Sequence, residues 1–270
     1  MKVPKAHLIT VLVLLVLWPG CSTVPRTFSP SQPIAPHDFS HNTFDEVVQD
    51  HVVDGVVDYP ALSNDARFET YLQALNRVDP NALPTDRDRL VFWINAYNAF
   101  AIKGILDGYS PRTRFGQYRY FKGRTYRVGG EGINLYDLER KILIPDYREP
   151  RIHFAIVCAS RSCPRLRSQA YSVDLLEAEL EESAKAFIND TTRNRFDRQQ
   201  KTAYLSKIFD WFEEDFVAHS GSLLSYVRRY VADPDLAREL ESVPYRIEFL
   251  EYDWRLNGPA PRGSHDAGQA

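Results

Sequence analysis

The chain has 270 residues, 33 Lys and Arg against 36 Asp and Glu, a formal net charge of -3 and three cysteines. With 44% hydrophobic and 13% aromatic residues, it can build a core without disulfide or metal cross-links, which excludes global disorder and a cysteine-stapled scaffold. The near-neutral charge excludes a polybasic nucleic-acid binder, because affinity for phosphates depends on many Lys and Arg. We therefore expect no nucleic-acid partner.

The N-terminal segment 1–20 has the pattern of a secretory signal peptide. Lys2 and Lys5 precede an apolar run from Leu8 to Trp18, which is shorter than the ~20 residues that span a bilayer. We therefore predict that residues 1–20 are removed on export. A short membrane anchor that is retained is the alternative.

Cys21 directly follows Gly20, and the segment resembles the bacterial lipobox, in which the cysteine is modified with lipid and becomes the new N-terminus. Trp18 departs from that pattern, because a lipobox usually has Leu at this place, so ordinary signal cleavage is the alternative. Lipid chains on Cys21 would anchor the protein, since each buried methylene contributes about 0.8 kcal/mol. Ser22 resembles an outer-membrane sorting signal, so we expect a lipoprotein of the outer membrane that faces the periplasm.

The rest of the chain divides into a tether, one domain and a tail. Residues 21–40 are rich in Pro and Ser and have few apolar anchors, which predicts a flexible tether. No internal repeat or long Pro/Gly break follows, so residues 41–257 are expected to form one domain. Residues 258–270 are expected to be a disordered tail.

Helical patterns dominate the first half of the domain. Segments 43–53 and 68–78 place apolar residues three and four positions apart, which predicts amphipathic helices. Thr85 is a predicted N-cap for a long helix that ends at Gly108. This helix is apolar on nearly all sides, so we expect it to be buried centrally.

The second half mixes strands and helices. Residues 119–128 predict a β-hairpin that turns at Lys122 and Gly123. Residues 135–144 predict a short helix, and the apolar run 152–157 predicts a central strand. Further helices are predicted over 173–188, 207–219 and 223–231. The predicted fold class is therefore α+β, a mostly helical single domain around a small sheet.

Six segments carry a resemblance to a known family. They are GVVDYPAL (55–62), FWINAYNAFAI (92–102), INLYDLERKIL (133–143), RIHFAIVCASRSCPRLRSQAYS (151–172), SKIFDWFEEDF (206–216) and EYDWRLN (251–257). In order and spacing they are similar to the domain of unknown function 547 family, in its bacterial exported or lipoprotein type. The resemblance implies an exported single domain and no established activity. Plant members resemble the domain without the second cysteine, so Cys158 matches more widely than Cys163.

The order of a long buried helix, a hairpin and a strand that begins with His is also similar to the transglutaminase and papain-like architecture. In that architecture a helix cysteine attacks the substrate and a strand histidine is the base. Asn95 stands where that cysteine would be. The departure argues against a nucleophile on the helix.

Cys158 is the predicted catalytic thiol. On an extended strand His153 and Cys158 would be ~17 Å apart, so the two cannot form a local couple and the base would come from elsewhere. Backbone amides of the turn after Cys158, with Arg161 and Arg165 nearby, would lower the pKa of the thiol.

Three interpretations of the two cysteines stay open. They are a structural Cys158–Cys163 disulfide, favoured outside the cytoplasm, a catalytic or redox thiol at Cys158, and two simply buried cysteines. The spacing lacks two further metal ligands, so no metal and no cofactor are predicted.

Polar side chains on the long helix are candidate site residues. Asn95 and Asn98 lie on one face, beside Trp93 and Tyr97. Because buried amides must be hydrogen-bonded, the pair either braces a neighbouring loop or lines a pocket that receives a peptide-like substrate.

The remaining candidates are titratable or polar. Glu139 is either an acid/base group or an ion-pair partner, and His153 is the histidine on which any histidine-dependent chemistry would depend. Ser162 is a predicted binding residue of the cysteine loop. Residues 112–127 contain six basic residues and no acidic one, among them the predicted binding residues Arg119, Lys122 and Arg124, which suit an anionic envelope component.

Two functional hypotheses follow. In the first, the chain is a lipid-anchored envelope protein with a thiol-dependent site at Cys158, which is surrounded by His153, Asn95, Asn98 and Glu139. In the second, it is a non-enzymatic binding or scaffold module of the envelope with a structural Cys158–Cys163 disulfide. Whether it is an enzyme is left open by the sequence.

Overall fold

The computed structural model describes residues 24–261. The predicted signal peptide and Cys21 therefore lie outside the described residues, as does the predicted tail beyond residue 261. Within the described part, helices dominate and the strands form sheets of two or three members. The predicted mixed α+β class, mostly helical around small sheets, is confirmed.

The first half of the domain is a set of helices with one short hairpin. These elements are α1 (Asn42–His51), β1 (Val52–Val53), β2 (Val56–Val57), α2 (Tyr59–Leu62), α3 (Ala66–Arg77) and α4 (Asp86–Leu106). Helices α1 and α3 match the predicted amphipathic segments and each buries one apolar face. One-turn 3-10 helices lie at Pro36–Asp38 and Pro80–Ala82.

Helix α4 is the central helix of the domain, as its sequence predicts. Thr85 and Asp88 form a capping box at its start, which satisfies amide groups that have no partner within the helix. Nearly every residue from Leu90 to Ile105 is buried. A helix without a polar face is stable only when neighbouring elements surround it. The rest of the domain surrounds α4 in this way.

The predicted hairpin over residues 119–128 is wrong in its first half. The chain forms α5 (Arg114–Tyr118), a π-helical turn (Arg119–Gly123) and only then β3 (Tyr126–Val128) paired with β4 (Glu131–Ile133). The turn between the strands is made by Gly129 and Gly130, which both have positive φ. Glycine adopts that conformation without steric cost, so the reversal takes place there and not at Lys122.

The predicted central strand over residues 152–157 is also wrong. After α6 (Leu135–Leu138), a π-helical turn (Glu139–Leu143) and α7 (Ile144–Tyr147), residues Ile152–Ala155 form a helical turn, α8. The chain becomes extended only at Ile156. Short apolar runs do not distinguish a buried strand from a buried helical turn, and the packing of α8 decides here.

The second half of the domain places helices beside one three-stranded sheet. Its elements are α9 (Leu176–Ile188), β5 (Arg195–Asp197), β6 (Thr202–Leu205), α10 (Lys207–Trp211), α11 (Glu213–Ser220), α12 (Leu223–Val227), α13 (Pro234–Ser242) and β7 (Arg246–Phe249). Strand β6 pairs with β5 antiparallel and with β7 parallel. The helix predicted over 207–219 is two helices, interrupted at Phe212.

The buried side chains form two clusters. The larger one surrounds α4 and includes α1, α3 and Val157. The smaller one lies among α9 to α13 and the β5–β6–β7 sheet, and it includes Phe154 of α8. Because α8 contributes to both clusters, the segment that leads to Cys158 lies where they meet.

The segment expected to be a flexible tether contacts the domain over its described part. Phe28 is buried, the Ser29 amide donates to the Gly129 carbonyl at 2.9 Å, and Arg26 forms an ion pair with Asp146. None of the helices between residues 24 and 261 is long and apolar enough to span a membrane.

Candidate functional site

A cleft of about 540 Å³ opens at the meeting of the two buried clusters. Six residues proposed from the sequence line it: Tyr97, Lys122, Glu139, His153, Cys158 and Cys163. They come from five different elements or loops, so the fold brings together side chains that are far apart in the chain. The candidate chemistry of this protein is concentrated here.

The segment before Cys158 is fixed by Asn98 of α4. The Asn98 amide nitrogen donates to the Ala155 carbonyl at 3.0 Å, and its oxygen accepts from the Val157 amide at 2.9 Å. Asn98 is 2% exposed, so both bonds are shielded from water and each side-chain group has a partner. The interpretation of Asn98 as a brace is the one that the geometry favours.

Cys158 is followed by a strained residue. Ala159 has a φ of 59°, a left-handed conformation that costs a non-glycine residue about 1–2 kcal/mol. The strain is held in place from the C-terminal segment, because the Asn257 amide donates to the Ala159 carbonyl at 3.1 Å. The reversal at Ala159 turns Ser160 back toward the Cys158 sulfur.

Two hydroxyl groups contact the Cys158 thiol. The sulfur lies 3.1 Å from the Ser160 hydroxyl and 3.1 Å from the Tyr252 hydroxyl, and the two hydroxyls are 3.2 Å apart. Burial raises the pKa of the Cys158 thiol, but the hydrogen bonds involving Cys163, Ser160 and Tyr252 together outweigh burial and lower that pKa below its usual range. Burial and the nearby Cys158 sulfur raise the pKa of Tyr252, so Tyr252 stays protonated and its hydroxyl can donate a hydrogen bond to a thiolate.

Cys158 and Cys163 are both free thiols in the structure, so the predicted disulfide is not found. The Cys158 amide instead donates to the Cys163 sulfur at 2.7 Å. Burial and the neighbouring Cys158 raise the pKa of the Cys163 thiol. Cys163 therefore supports Cys158 as a protonated neighbour, and the two thiols have opposite tendencies to ionise.

The C-terminal segment fixes the loop that carries both thiols. The Ser162 hydroxyl accepts from the Asp253 amide at 2.8 Å, and Ser160 forms an isolated antiparallel bridge with Leu256. This pairing places the Tyr252 hydroxyl against Cys158, although the two residues are 94 positions apart in the chain. Ser162 thus positions the loop and does not line the cleft.

His153 is held by a carboxylate that the sequence analysis missed. Its Nε2 lies 2.8 Å from the Asp215 carboxylate, and its ring packs against Phe212 at a tilt of 35°, with 3.9 Å between centroids. Burial lowers the pKa of His153, against the opposing effect of Asp215. The Nδ1 atom is buried without a hydrogen-bond partner among the described residues. A neutral ring that donates from Nε2 to Asp215 leaves Nδ1 as a free acceptor.

Glu139 is the third titratable group of the cleft. Burial raises its pKa to about 7, against the opposing effects of Arg140 and the Tyr97 hydroxyl. The Tyr97 hydroxyl lies 3.5 Å from the Glu139 carboxylate. A carboxyl with a pKa near neutrality can both donate and accept a proton, which is what acid/base catalysis requires.

An aromatic wall adjoins these groups. Trp211, Tyr252 and Trp254 have ring centroids 4.5 to 5.7 Å apart, and Phe121 meets Trp254 edge-on at 6.3 Å. All four rings line the cleft. Such a wall binds planar or apolar groups by stacking and burial.

Besides Asn98 and Ser162, four predicted site residues do not line the cleft. Asn95 exchanges two hydrogen bonds with the backbone of Tyr171, so it is a brace like Asn98. Trp93 packs in the core against Phe28 and Phe92. The other two are cations outside the cleft: Arg124 pairs with Asp107, and Arg119 lies over the Tyr109 ring.

Ser160, Asp215 and Tyr252 are parts of the site that the sequence patterns did not predict. Asp215 and Tyr252 belong to two of the segments that carry the family resemblance, SKIFDWFEEDF and EYDWRLN. The polar residues within those segments were the sequence signal that could have identified Asp215 and Tyr252 as site residues. Within residues 24–261, no cluster of three or more His, Cys, Asp or Glu side chains is arranged to hold a metal ion.

Comparisons with known proteins point to one family. Residues 81–188 match the family described as "Protein of unknown function, DUF547". No curated protein and no solved structure matches the chain. The matched segment includes Asn98, Glu139, His153 and the cysteine loop, whereas Asp215 and the C-terminal segment lie beyond it. The match supports the assignment of the domain over residues 81–188 to the DUF547 family.

Proposed function

We propose that the cleft is the active site of an enzyme that uses Cys158 as a thiolate nucleophile on an acyl compound. The observation that carries the proposal is the environment of the Cys158 sulfur, which has two hydroxyl neighbours at 3.1 Å and a lowered pKa. When the thiol is ionised, the hydroxyls of Ser160 and Tyr252 can both donate hydrogen bonds to the sulfur. Reactive cysteines are found in such partly exposed settings, because the thiolate is the nucleophile.

The proposed reaction is acyl transfer through a thioester. The Cys158 sulfur attacks the carbonyl carbon and forms an S–C bond, and the bond from that carbon to the leaving nitrogen or oxygen breaks. The protonated Glu139 carboxyl gives its proton to the leaving group. A water molecule then attacks the thioester and gives one proton to the basic group, His153 or ionised Glu139, while the acid product leaves and the thiolate is restored. The pKa of Glu139, about 7, suits a group that alternates between acid and base.

The test is the pH dependence of Cys158 alkylation by iodoacetamide. Trypsin separates the two thiols, because Arg161 lies between them: peptide 152–161 contains Cys158 and peptide 162–165 contains Cys163. We expect Cys158 to react at a pH well below that of a free cysteine, and Cys163 to react only at higher pH. Alkylation of Cys158 with the pH profile of an ordinary thiol would contradict the proposal.

Tyr252→Phe and Tyr204→Phe form a matched pair for that experiment. The first removes a hydroxyl that stabilises the thiolate, so the alkylation profile of Cys158 should move to higher pH. The second removes a hydroxyl from strand β6, outside the cleft, and should leave the profile unchanged.

The second functional candidate is the non-enzymatic binding module. It predicts that Cys158→Ser is tolerated, whereas joint neutralisation of Arg119, Lys122 and Arg124 abolishes association with an envelope component. In a strain where deletion has a phenotype, full complementation by Cys158→Ser would exclude the thiol-dependent function. Failure of Cys158→Ser to complement, with normal protein level, supports it.

We also propose that the protein is exported and anchored by lipid on Cys21 in the outer membrane, facing the periplasm. The support is the sequence alone: the charged start, the apolar run and the cysteine after Gly20. Growth with labelled palmitate should label the wild-type protein and leave Cys21→Ala unlabelled. Equal labelling of both, or none of either, would contradict the anchor.

A further inference from the structure

The cleft contains more positive charge than its own residues neutralise. Arg114, Lys122 and Arg140 line it, and the carboxylate among the described lining residues is Glu139 alone. With a pKa of about 7, Glu139 is only partly ionised near neutral pH. None of the three cations forms a direct ion pair with a carboxylate in the described part of the chain.

Two of these cations are held in a way that leaves their charge available. The Lys122 ammonium lies 3.9 Å from the centroid of the Tyr136 ring, and the Arg140 guanidinium lies 4.2 Å from that of Phe212. An aromatic face positions a cation without neutralising it. The side chains are therefore oriented at the cleft while their charge remains free for a ligand.

A second cavity shows that this arrangement is not general for the protein. A cavity of about 290 Å³ beside α9 also contains several arginines. There Arg165 and Arg193 pair with Asp190, and Arg167 pairs with Glu182. The positive charge of that cavity is neutralised by the chain itself, in contrast to the charge of the cleft.

We propose that the substrate of the Cys158 site is an acyl compound that carries an oxyanion group, a carboxylate or a phosphate, which Arg114, Lys122 and Arg140 bind. The inference rests on the function proposed above and specifies its substrate class. Arginine and lysine bind such oxyanions by charge-assisted hydrogen bonds. The Trp211 and Trp254 rings supply the surface for an apolar or planar part of the same molecule.

The test compares two alkylating agents with the same leaving group, iodoacetate and iodoacetamide, on the full-length protein. Rates at Cys158 are measured on the tryptic peptide 152–161 and divided by the rates with N-acetylcysteine. We expect the normalised ratio of iodoacetate to iodoacetamide to exceed one severalfold and to fall as salt is added. A normalised ratio of one or less, with Cys158 reactive toward iodoacetamide, would overturn the substrate class and leave the thiolate intact. Failure of both agents at Cys158 would overturn the proposed function itself.

Variants identify the cations responsible. Lys122→Gln, Arg114→Gln and Arg140→Gln should each lower the ratio by roughly threefold to tenfold, because each removes one charge from the cleft. Arg127→Gln is the matched control, since Arg127 belongs to the same basic segment but bonds to the Gly130 carbonyl outside the cleft. An equal loss in the Arg127 variant would show a general charge effect and contradict binding by the cleft.

Competition distinguishes the two oxyanions. Acetate and inorganic phosphate are added to the iodoacetate reaction at matched ionic strength. Slowing by acetate alone identifies a carboxylate ligand, and slowing by phosphate alone identifies a phosphate ligand. Slowing by neither would contradict an oxyanion site.

Discussion

Helix α4 and the cleft beside Cys158 differ in whether their buried polar groups have hydrogen-bond partners. On α4, the side chains of Asn95 and Asn98 each donate one and accept one hydrogen bond with neighbouring backbone. In the cleft, the buried His153 Nδ1 has no hydrogen-bond partner within residues 24–261, and the lining cations form no direct ion pair with a described carboxylate. Polar groups whose hydrogen bonds are all made within the protein stabilise the fold, whereas polar groups without a partner are available to a ligand.

The two regions are connected by one side chain. Asn98 belongs to α4, yet both of its bonds go to the segment that ends at Cys158. The rigid core thereby positions the reactive loop. Substitutions on the α4 side should mainly change stability, and substitutions in the cleft should mainly change reactivity or titration.

The largest effect is expected for Asn98→Ala. It leaves the Ala155 carbonyl and the Val157 amide without partners in a dry environment, so the free energy of unfolding should fall by about 3 kcal/mol. Urea denaturation measures the change. Asn64→Ala is the control, because Asn64 is exposed and its loss should cost less than about 0.5 kcal/mol. An equal loss of unfolding free energy in the two variants would contradict a stabilising role for the buried hydrogen bonds of Asn98.

Glu139→Gln should change how stability depends on pH. Burial raises the pKa of Glu139 from its ordinary 4.5 to about 7, so the folded state binds the proton more tightly than the unfolded state. The stabilisation is complete below about pH 4.5 and is lost as the pH rises through about 7. The melting temperature of the wild type should therefore fall relative to Glu139→Gln by a few degrees between pH 5 and 8. A constant difference across that range would contradict a raised pKa.

Ala159→Gly should relieve the strain in the cysteine loop. At a φ of 59° glycine has no steric cost, so the variant should be more stable by about 1 kcal/mol. The same change should make Cys158 less reactive at a given pH, because the loop would no longer hold Ser160 against the sulfur. Urea denaturation and the alkylation profile measure the two effects, and a loss of stability would contradict the strain.

The smallest change in stability is expected for Asp215→Asn, whose effect is on titration. Burial already lowers the pKa of His153, and Asp215 opposes that effect. Removal of the carboxylate should therefore lower the pKa of His153 further, which NMR of the ring protons would measure. Asp210→Asn is the control, because Asp210 pairs with Lys207. An unchanged pKa of His153 in Asp215→Asn would contradict the interaction of Asp215 with the His153 ring.

Several features followed from the sequence alone. The capped, apolar helix α4 was predicted with its start and its burial, because a cap and a long apolar periodicity are local signals. The same local reasoning identified Cys158, His153 and Glu139 as candidates, and the structure places all three in one cleft.

Tertiary structure decided the rest. The run 152–157 is too short for its own pattern to distinguish a strand from a helical turn, and Asn98 and the packing of α8 determine its form. The partners of the site come from distant segments: Asp215 is 62 positions from His153, and Tyr252 is 94 positions from Cys158. Local pattern reports which face of an element is apolar, but it does not report which distant side chain that element will meet. The pKa values of the titratable groups in the cleft depend on these tertiary contacts, because burial and neighbouring groups determine each pKa.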